Sequence, residues 1–250
     1  MVALRSALFL LLMVFSVIVY ASILIVMGSL LPMRTRARIA RSWARLVLWL
    51  LRVICGLGVE VRGFENLPRR PGIVLCKHQS AWETIALRGL LPLDQTWVLK
   101  KELMRIPFFG GALARFAPIA IDRAAGRKAM RLLLEQGTRQ LAQGQWIIIF
   151  PEGTRVAPGE TRHFNIGGAL LAERTGAAVV PIAHNAGVYW RRRAFRKHPG
   201  CIRLVIGPPI DTRGKKAKQI NAEAEAWINA AVGSLPGNRD GEGAQVLSRC

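Results

Sequence analysis

Residues 72–83 read GIVLCKHQSAWE, and this stretch decides the fold because it joins a strand to a helix at a polar corner. The apolar run 72–76 predicts a buried strand, and the segment from Ser80 to Leu91 predicts a helix. His78 therefore lies where the strand gives way to the helix, with Glu83 in the first helical turn. A carboxylate in that position can hold one ring N–H of the histidine, which leaves the other ring nitrogen free to act as a general base.

The same residues also form a capping box, with Ser80 as the N-cap and Glu83 at the third helical position. On that interpretation His78 is an ordinary polar loop residue. The two interpretations are compatible, because a capping carboxylate can also face a neighbouring histidine. The rest of the chain has to distinguish them.

Composition limits the classes of function. The chain has 250 residues, enough for one or two domains, with 51% hydrophobic residues and a formal net charge of +21. This charge predicts an anionic partner, either nucleic acid or a phospholipid surface. The apolar content favours the lipid surface, and the basic residues follow no recognisable nucleic-acid motif, so we expect no nucleic-acid partner.

The four cysteines are scattered, with no C-x-x-C pair and no histidine at metal-ligand spacing. We therefore expect reduced thiols, no disulfide framework and no metal site. Cys76 is close to His78, but it ends an apolar strand and no nearby feature would lower its pKa. We expect it to be packed rather than nucleophilic.

The N-terminal part predicts a membrane anchor. Residues 7–31 are 25 residues without a charge, long enough to cross a hydrocarbon core of about 30 Å. A cleaved signal peptide would have a shorter apolar core, so we expect the segment to be retained. Arginines are concentrated after it, which predicts that the bulk of the chain lies on the cytoplasmic side of the inner membrane. Residues 43–58 then predict an interfacial helix, with a second span as the alternative.

The chain thus divides into an anchor at 1–58, a globular domain at 59–233 and a tail at 234–250 that is rich in Gly, Asn and charge. The composition of the tail predicts disorder. Strands alternate with helices in the globular part, which predicts an α/β layer fold.

A second polar stretch, Phe150 to Arg155, reads FPEGTR and follows the apolar strand 146–150. Open α/β sheets bind ligands at the carboxyl ends of their strands. Gly153 allows close approach of the backbone, Thr154 can donate a hydrogen bond, and Arg155 can clamp a phosphate. The alternative is a tight surface turn with a solvated arginine.

Three further stretches are less specific. Arg123 ends the strand 119–121 and is either a second phosphate ligand or half of an exposed ion pair with Asp122. The predicted strand 178–182 is followed by a polar end that includes His184, which we expect to be packed or exposed rather than catalytic. The basic and aromatic stretch 189–197 is either a footing on anionic lipid or a solvated loop.

Together these stretches resemble the four sequence blocks of the glycerolipid acyltransferases, in particular the bacterial branch that acylates 1-acylglycerol 3-phosphate. The blocks occur in order, over roughly Val59 to Pro209, and match the following segments: 78–83, 100–123, 150–155 and 180–182. The resemblance favours the catalytic interpretation of His78 over the interpretation as an ordinary loop residue beside a capping box. One departure is that the family's usual first-block acid is aspartate, whereas this chain has Glu83.

The resemblance implies a mixed central sheet flanked by helices, preceded by a transmembrane or interfacial helical segment. It also implies that His78 deprotonates the sn-2 hydroxyl of a lysophosphatidic acid and that Glu83 orients His78. The acyl group would come from acyl-CoA or acyl-carrier protein as a co-substrate, without a metal or other cofactor. The substrate-binding set that the resemblance implies is Arg123, Glu152, Gly153, Thr154 and Arg155. Glu152 is expected to meet a hydroxyl or an arginine rather than the phosphate.

Two alternatives remain open at this point. Within the enzymes, the acceptor could be glycerol 3-phosphate or another lysolipid. From a different class, the chain could be a basic, membrane-tethered binding module without catalysis.

Overall fold

A computed structural model describes residues 1–91, 94–237 and 250 of the chain, with the side chain of Arg123 left out. The helices are α1 (Val2–Met27), α2 (Met33–Cys55), α3 (Trp82–Leu90), α4 (Phe109–Ala114), α5 (Arg127–Ala142), α6 (Gly167–Thr175), α7 (Ala186–Tyr189) and α8 (Ala217–Ser234). The strands are β1 (Leu57–Arg62), β2 (Ile73–Cys76), β3 (Gln95–Lys100), β4 (Ile119–Ile121), β5 (Trp146–Ile149), β6 (Val179–His184) and β7 (Gly200–Ile206).

In the described part of the chain, the strands form one seven-stranded sheet in the order β1-β7-β6-β2-β5-β3-β4. The β6–β7 pair is antiparallel and the other pairs are parallel, so the predicted mixed sheet is confirmed. β2, β5 and β6 lie at the centre, which explains why their sequences are almost continuously apolar: both of their faces are covered.

Helices cover both faces of the sheet. α2 and α3, with residues of α1, pack on one face and contribute Leu51, Ile85 and Leu87 to the core. α5, α6 and α8 pack on the other face, where Leu133 and Ile220 are buried. The sheet is therefore the middle layer between two hydrophobic cores, one on each face. The polar corners lie at the ends of its strands, outside both cores.

The two N-terminal helices differ from the prediction in their bounds. α2 begins at Met33, ten residues before the predicted interfacial helix, because the arginine- and alanine-rich segment after Pro32 contains no helix breaker. It ends where Gly56 adopts φ +66, the left-handed conformation that commonly ends helices. β1 then starts at Leu57, so the predicted boundary between 58 and 59 falls within a strand.

α1 is long and apolar enough to cross a membrane, and only 22% of its most apolar window is buried. However, both of its ends contact the globular body. Near its start, Ser6 Oγ accepts a hydrogen bond from the Lys197 backbone N–H at 2.9 Å. Near its end, the Ile25 carbonyl accepts one from the Arg115 guanidinium at 2.6 Å. α1 thus lies along the body with its other side exposed, and spanning of a bilayer stays a prediction.

The C-terminal region brings one correction. Cys201 and Cys250 form a disulfide, with their Cα atoms 5.2 Å apart, so the expectation of reduced thiols is wrong for this pair. Their separation of 49 residues carries no local signal, and only the tertiary fold brings them within bridging distance. Cys55 and Cys76 are free and buried, as expected for packed thiols. Most of the predicted disordered tail, residues 238–249, lies outside the described residues.

Candidate functional site

The strand order brings the two polar corners together. β2 and β5 are parallel neighbours, so the residues that follow Cys76 and Ile149 leave the sheet at the same edge. The backbone N–H of Val156 donates to the His78 carbonyl at 2.8 Å, which ties the two loops directly. The FPEGTR turn therefore lies beside His78, as expected for a ligand site at the carboxyl ends of parallel strands.

His78 and Glu83 form the predicted pair. His78 Nδ1 lies 2.7 Å from Glu83 Oε1. The carboxylate also accepts the backbone N–H groups of Gln79 and Ser80, at 2.9 and 2.8 Å, and the Ser80 hydroxyl accepts the Trp82 N–H at 3.2 Å. Glu83 therefore contacts the histidine and also accepts backbone N–H groups ahead of the helix. The predicted capping box is not formed, because the N-cap is Ala81 and it has no side-chain cap hydrogen bond. Trp82 is the first helical residue, so the helix starts two residues later than predicted.

Glu83 is ionised in this environment. Burial opposes ionisation, but the neighbouring His184 and His78 and the Ser80 N–H outweigh it, so the pKa of Glu83 lies below its ordinary value. A carboxylate can only accept, so His78 Nδ1 carries the proton of their hydrogen bond. The neutral imidazole then has its lone pair on Nε2, and the described residues make no hydrogen bond to that atom.

The ring of His78 is held on a second side by Phe150. The two rings stack with centroids 4.1 Å apart and an interplanar angle of 16°. The side chain of His78 remains 14% exposed, whereas Glu83 is completely buried. The histidine is therefore fixed in orientation while one edge reaches the cavity described below.

Glu152 lies elsewhere than predicted. Its side chain is completely buried; one carboxylate oxygen lies 2.5 Å from Lys77 Nζ and the other accepts the His78 backbone N–H at 2.8 Å. Among the described residues, Glu152 forms no hydrogen bond or ion pair with an arginine, and it does not line the cavity. In this arrangement Glu152 holds the backbone of His78 in place through the hydrogen bond to its N–H. The ammonium of Lys77 compensates the charge of the Glu152 carboxylate. The ion pair between Lys77 and Glu152 could not be predicted from the sequence, since 75 residues separate the partners.

The other residues of the third block face a cavity. Gly153 adopts φ +71, a conformation that favours glycine, and it lines the cavity with Thr154 and Arg155. The Arg155 Nε atom is buried without a hydrogen-bond partner in the described part of the chain. Arg192 donates to the Arg155 carbonyl at 3.1 Å and also lines the cavity. The basic stretch at 191–193 thus adjoins the site, which sequence reasoning missed.

Arg123 begins a short 3-10 turn, Arg123–Ala125, directly after β4. Asp122 caps this turn by accepting the Ala124 N–H at 3.0 Å. Since β4 pairs in parallel with β3, the backbone of Arg123 leaves the sheet on the same side as the other polar corners. Its side chain lies outside the described part of the structure, so its phosphate-binding role stays a prediction.

The cavity has a volume of about 680 Å³ and runs from His78 into the apolar layer under α1. Its polar end holds His78, Arg155 and Lys100. Its apolar end is formed by side chains from four helices, namely Val17, Tyr20, Ala21, Leu24, Ala40, Trp43, Ile85, Ala112 and Leu113. Such a cavity suits a ligand with an anionic head and a hydrocarbon tail.

One cation lies in the apolar part of the wall. The guanidinium of Arg88 lies over the rings of Trp97 and Phe116, at 5.5 and 5.1 Å from their centroids, and donates to the Gln95 carbonyl. Burial, with the nearby charge of Arg41, lowers the pKa of Arg88 to about 10. Arg88 therefore stays protonated at neutral pH, and the aromatic faces compensate part of its desolvation.

His184 is a second buried histidine, in agreement with the packed alternative of the sequence-based prediction. Its Nε2 lies 2.9 Å from the Lys77 carbonyl and 3.9 Å from Glu83, and its Nδ1 accepts the Ala186 N–H. These partners require the proton on Nε2. Burial lowers the pKa of His184, so it is neutral at physiological pH and supports the loop of His78 without titrating there.

Cys76 is fully buried, and burial raises its pKa well above the ordinary value. It is therefore a packed thiol rather than a nucleophile, as predicted. Among the residues that the structure describes, no group of three or more His, Cys, Asp or Glu is placed to hold a metal ion. The expectation that no cofactor is needed stays a prediction.

Comparison with known proteins gives a consistent result. The acyltransferase family model matches residues 58–185. The chain is 44% identical to the 1-acyl-sn-glycerol-3-phosphate acyltransferase of Pseudomonas aeruginosa, over 93% of this chain and 92% of that one. It is 28% identical to an enzyme of the same name from Limnanthes alba, over 78% and 68% of the respective chains.

The fold is similar to the crystal structure of the 1-acyl-sn-glycerophosphate (LPA) acyltransferase from Thermotoga maritima, with a TM-score of 0.79. The match covers 94% of this chain and 95% of that one at 22% sequence identity. At that identity the similarity concerns the fold.

Proposed function

This chain belongs to the acyltransferase family, and from that premise we propose that it acylates the sn-2 hydroxyl of a 1-acylglycerol 3-phosphate to form phosphatidic acid. The donor is an acyl thioester, either acyl-CoA or acyl-carrier protein. The observation that carries the proposal is the 2.7 Å contact between His78 and the buried Glu83 at the head of an amphiphilic cavity.

In the proposed reaction, His78 Nε2 takes the proton of the sn-2 hydroxyl. The alkoxide oxygen attacks the thioester carbonyl, and the C–S bond breaks as the tetrahedral intermediate collapses. The proton on His78 passes to the leaving thiolate, so the enzyme returns to its starting state. Glu83 offsets the positive charge that develops on the imidazole, and this stabilisation arises in the transition state rather than in the ground state.

The anionic head of the acceptor is proposed to bind at the polar end of the cavity. Arg155 is the main candidate, because its guanidinium lines the cavity and its forked donors match phosphate oxygens. The backbone at Gly153 and the hydroxyl of Thr154 are proposed to approach the same phosphate. Arg123 is proposed as a further phosphate ligand. Glu152 is proposed as a positioning residue instead, since it is buried beneath His78.

The apolar end of the cavity is proposed to hold an acyl chain. It is formed partly by α1, whose exposed side is also apolar, with Leu11, Phe15 and Val26 each more than a third exposed. We propose that this side of α1 contacts the inner membrane from the cytoplasmic side. A substrate tail could then pass from the bilayer into the cavity without crossing water.

The test is an assay of the purified full-length chain with lysophosphatidic acid, glycerol 3-phosphate and a lysophosphatidylethanolamine, each with both donor types. We expect the highest kcat/KM with lysophosphatidic acid. A His78→Ala variant should lose at least the 10²–10⁴-fold that a positioned base contributes. Wild-type turnover by that variant would refute the role of His78 as the general base. If only another acceptor were acylated, that acceptor would replace lysophosphatidic acid as the proposed substrate.

A further inference from the structure

The segment 101–108 is an exposed apolar loop in the globular part of the chain. It follows β3, forms a 3-10 helix over Lys101–Arg105, and leads into α4. Three of its large apolar side chains face solvent: Leu103 is 36%, Ile106 44% and Phe108 50% exposed. Such a cluster on the surface of a globular body marks an interaction site.

The backbone holds the tip of the loop in an uncommon shape. Phe108 has φ +59 and ψ −55, and the Phe109 N–H donates to the Pro107 carbonyl at 2.6 Å, which is a tight γ-turn. A bulky residue at positive φ is disfavoured. Packing of the Phe108 ring does not compensate for this conformation, since half of the side chain is exposed.

The loop is connected to the end of α1 through α4. The loop leads into α4, and the residue that caps the end of α4 contacts α1: the Arg115 guanidinium donates to the Ile25 carbonyl at 2.6 Å. The exposed apolar residues Val26 and Met27 belong to this end of α1. Exposed apolar side chains therefore occur both at this end of α1 and on the loop that leads into α4.

The charges around the loop favour contact with an anionic surface. Lys101 and Arg105 are exposed, and the acidic Glu102 is paired with Lys100 at 3.1 Å. Exposed apolar side chains flanked by cations are typical of segments that insert at the interface of an anionic bilayer.

The loop also borders the cavity. Lys100, Leu103 and Phe109 line one part of its wall, and Arg192 and Arg193 line another. The loop and the basic stretch at 191–193 therefore both contribute to the wall of the cavity.

From these observations we infer that the loop 101–108 is a membrane-docking element, with Ile106 and Phe108 inserted in the interface of an anionic phospholipid bilayer. This inference rests on the proposed membrane-bound function and specifies the part of the globular domain that contacts the membrane. Docking of the loop holds the part of the cavity wall that includes Leu103 against the leaflet that contains the lysolipid.

The test places a fluorescent probe at single positions of the full-length chain. A new cysteine at Phe108→Cys can be labelled selectively, because Cys55 and Cys76 are buried and Cys201 is bonded to Cys250. The labelled protein is bound to vesicles of phosphatidylcholine and phosphatidylglycerol that contain a spin-labelled lipid quencher.

Two other positions serve as controls. Val14→Cys probes the exposed side of α1 and reports whether the chain is on the membrane at all. Phe64→Cys probes a similarly exposed aromatic, 43% exposed, in the turn after β1 at the opposite edge of the sheet. We expect quenching at 14 and 108 and none at 64.

Absence of quenching at 108 while 14 is quenched would overturn the inference, and this is also the result expected if a protein partner covers the loop. Equal quenching at 64 and 108 would overturn it too, because it would indicate general immersion. An unquenched probe at position 14 would also overturn the inference, since the chain would then not be bound to the bilayer.

Kinetics give a second readout. An Ile106→Asn/Phe108→Asn variant should raise KM at least about fivefold for long-chain lysophosphatidic acid in vesicles, because apolar area no longer enters the membrane. Its rate in detergent micelles should stay unchanged, and an equal loss in both would contradict docking. If the wild type acylated no lysophosphatidic acid in either medium, the proposed function would fail while the quenching pattern still decided the docking.

Discussion

Replacement of Glu83 by glutamine tests the charge of the proposed catalytic pair, His78 and Glu83, without changing its shape. The glutamine oxygen can keep the hydrogen bonds that Oε1 accepts from His78, Gln79 and Ser80. What is lost is the negative charge facing the imidazolium that forms as the hydroxyl proton moves to His78.

The size of the effect follows from the geometry. The Nδ1–Oε1 distance of 2.7 Å corresponds to a separation of about 4 Å between the charge centres, worth about 4 kcal/mol at an effective dielectric constant near 20. At 1.36 kcal/mol per factor of ten, Glu83→Gln should lower kcat about 10³-fold. KM should change little, since the neutral ground state does not use the charge.

The assay is thiol release from acyl-CoA in detergent micelles with saturating lysophosphatidic acid. Thermal unfolding in the same detergent checks that the variant is folded. Glu83→Asp is the matched control: it keeps the charge and supplies the acid usual in the family, so its kcat should lie much closer to the wild type. A loss below about tenfold in a folded Glu83→Gln variant would refute the role of the carboxylate.

Three further predictions concern the surroundings of the pair. Lys77→Met should destabilise the chain by about 3–5 kcal/mol, because it leaves the buried Glu152 charge unpaired. The double variant with Glu152→Gln should recover part of this loss in denaturant unfolding, and a purely additive result would argue against the pair. The pKa of His184 is lowered from 6.5 by burial, so below about pH 6.5 the unfolded chain binds a proton that the folded chain does not. Stability should therefore fall as the pH drops through that window, and a His184→Gln variant should show a flatter pH profile of its melting temperature. Arg155→Gln should raise KM for lysophosphatidic acid about 10–100-fold, the value of a hydrogen bond to a charged group, with an unchanged KM for the thioester. Arg213→Gln, at an exposed position remote from the cavity, is its control, and equal effects of both variants would point to charge loss in general.

Features that depend on neighbours in the chain could be predicted from the sequence. The strands and most of the helices follow from the period of the apolar residues, and the predicted α/β class is confirmed. The pairing of His78 with Glu83 was predictable because five residues across a strand-to-helix corner leave the two side chains few other places to lie.

The surroundings of that pair could not be predicted in this way. Lys77 meets Glu152 across 75 residues and His184 meets the Lys77 carbonyl across 107, because β2 lies between β5 and β6 in the sheet. No spacing in the chain specifies that strand order. The family resemblance implied that Glu152 meets a substrate hydroxyl or an arginine, whereas in the structure it is buried against Lys77 and the His78 backbone.

The amino-acid sequence by itself determined the local elements, the corner that pairs His78 with Glu83 and the apolar N-terminal helix, since each is set by side chains within one or two turns of one another. Only the tertiary structure decided the disulfide of Cys201 with Cys250, the course of α1 along the globular body, and the cavity that joins His78 to the apolar layer. These features require segments distant in the chain to pack together, and that packing is a property of the whole sheet and its helices.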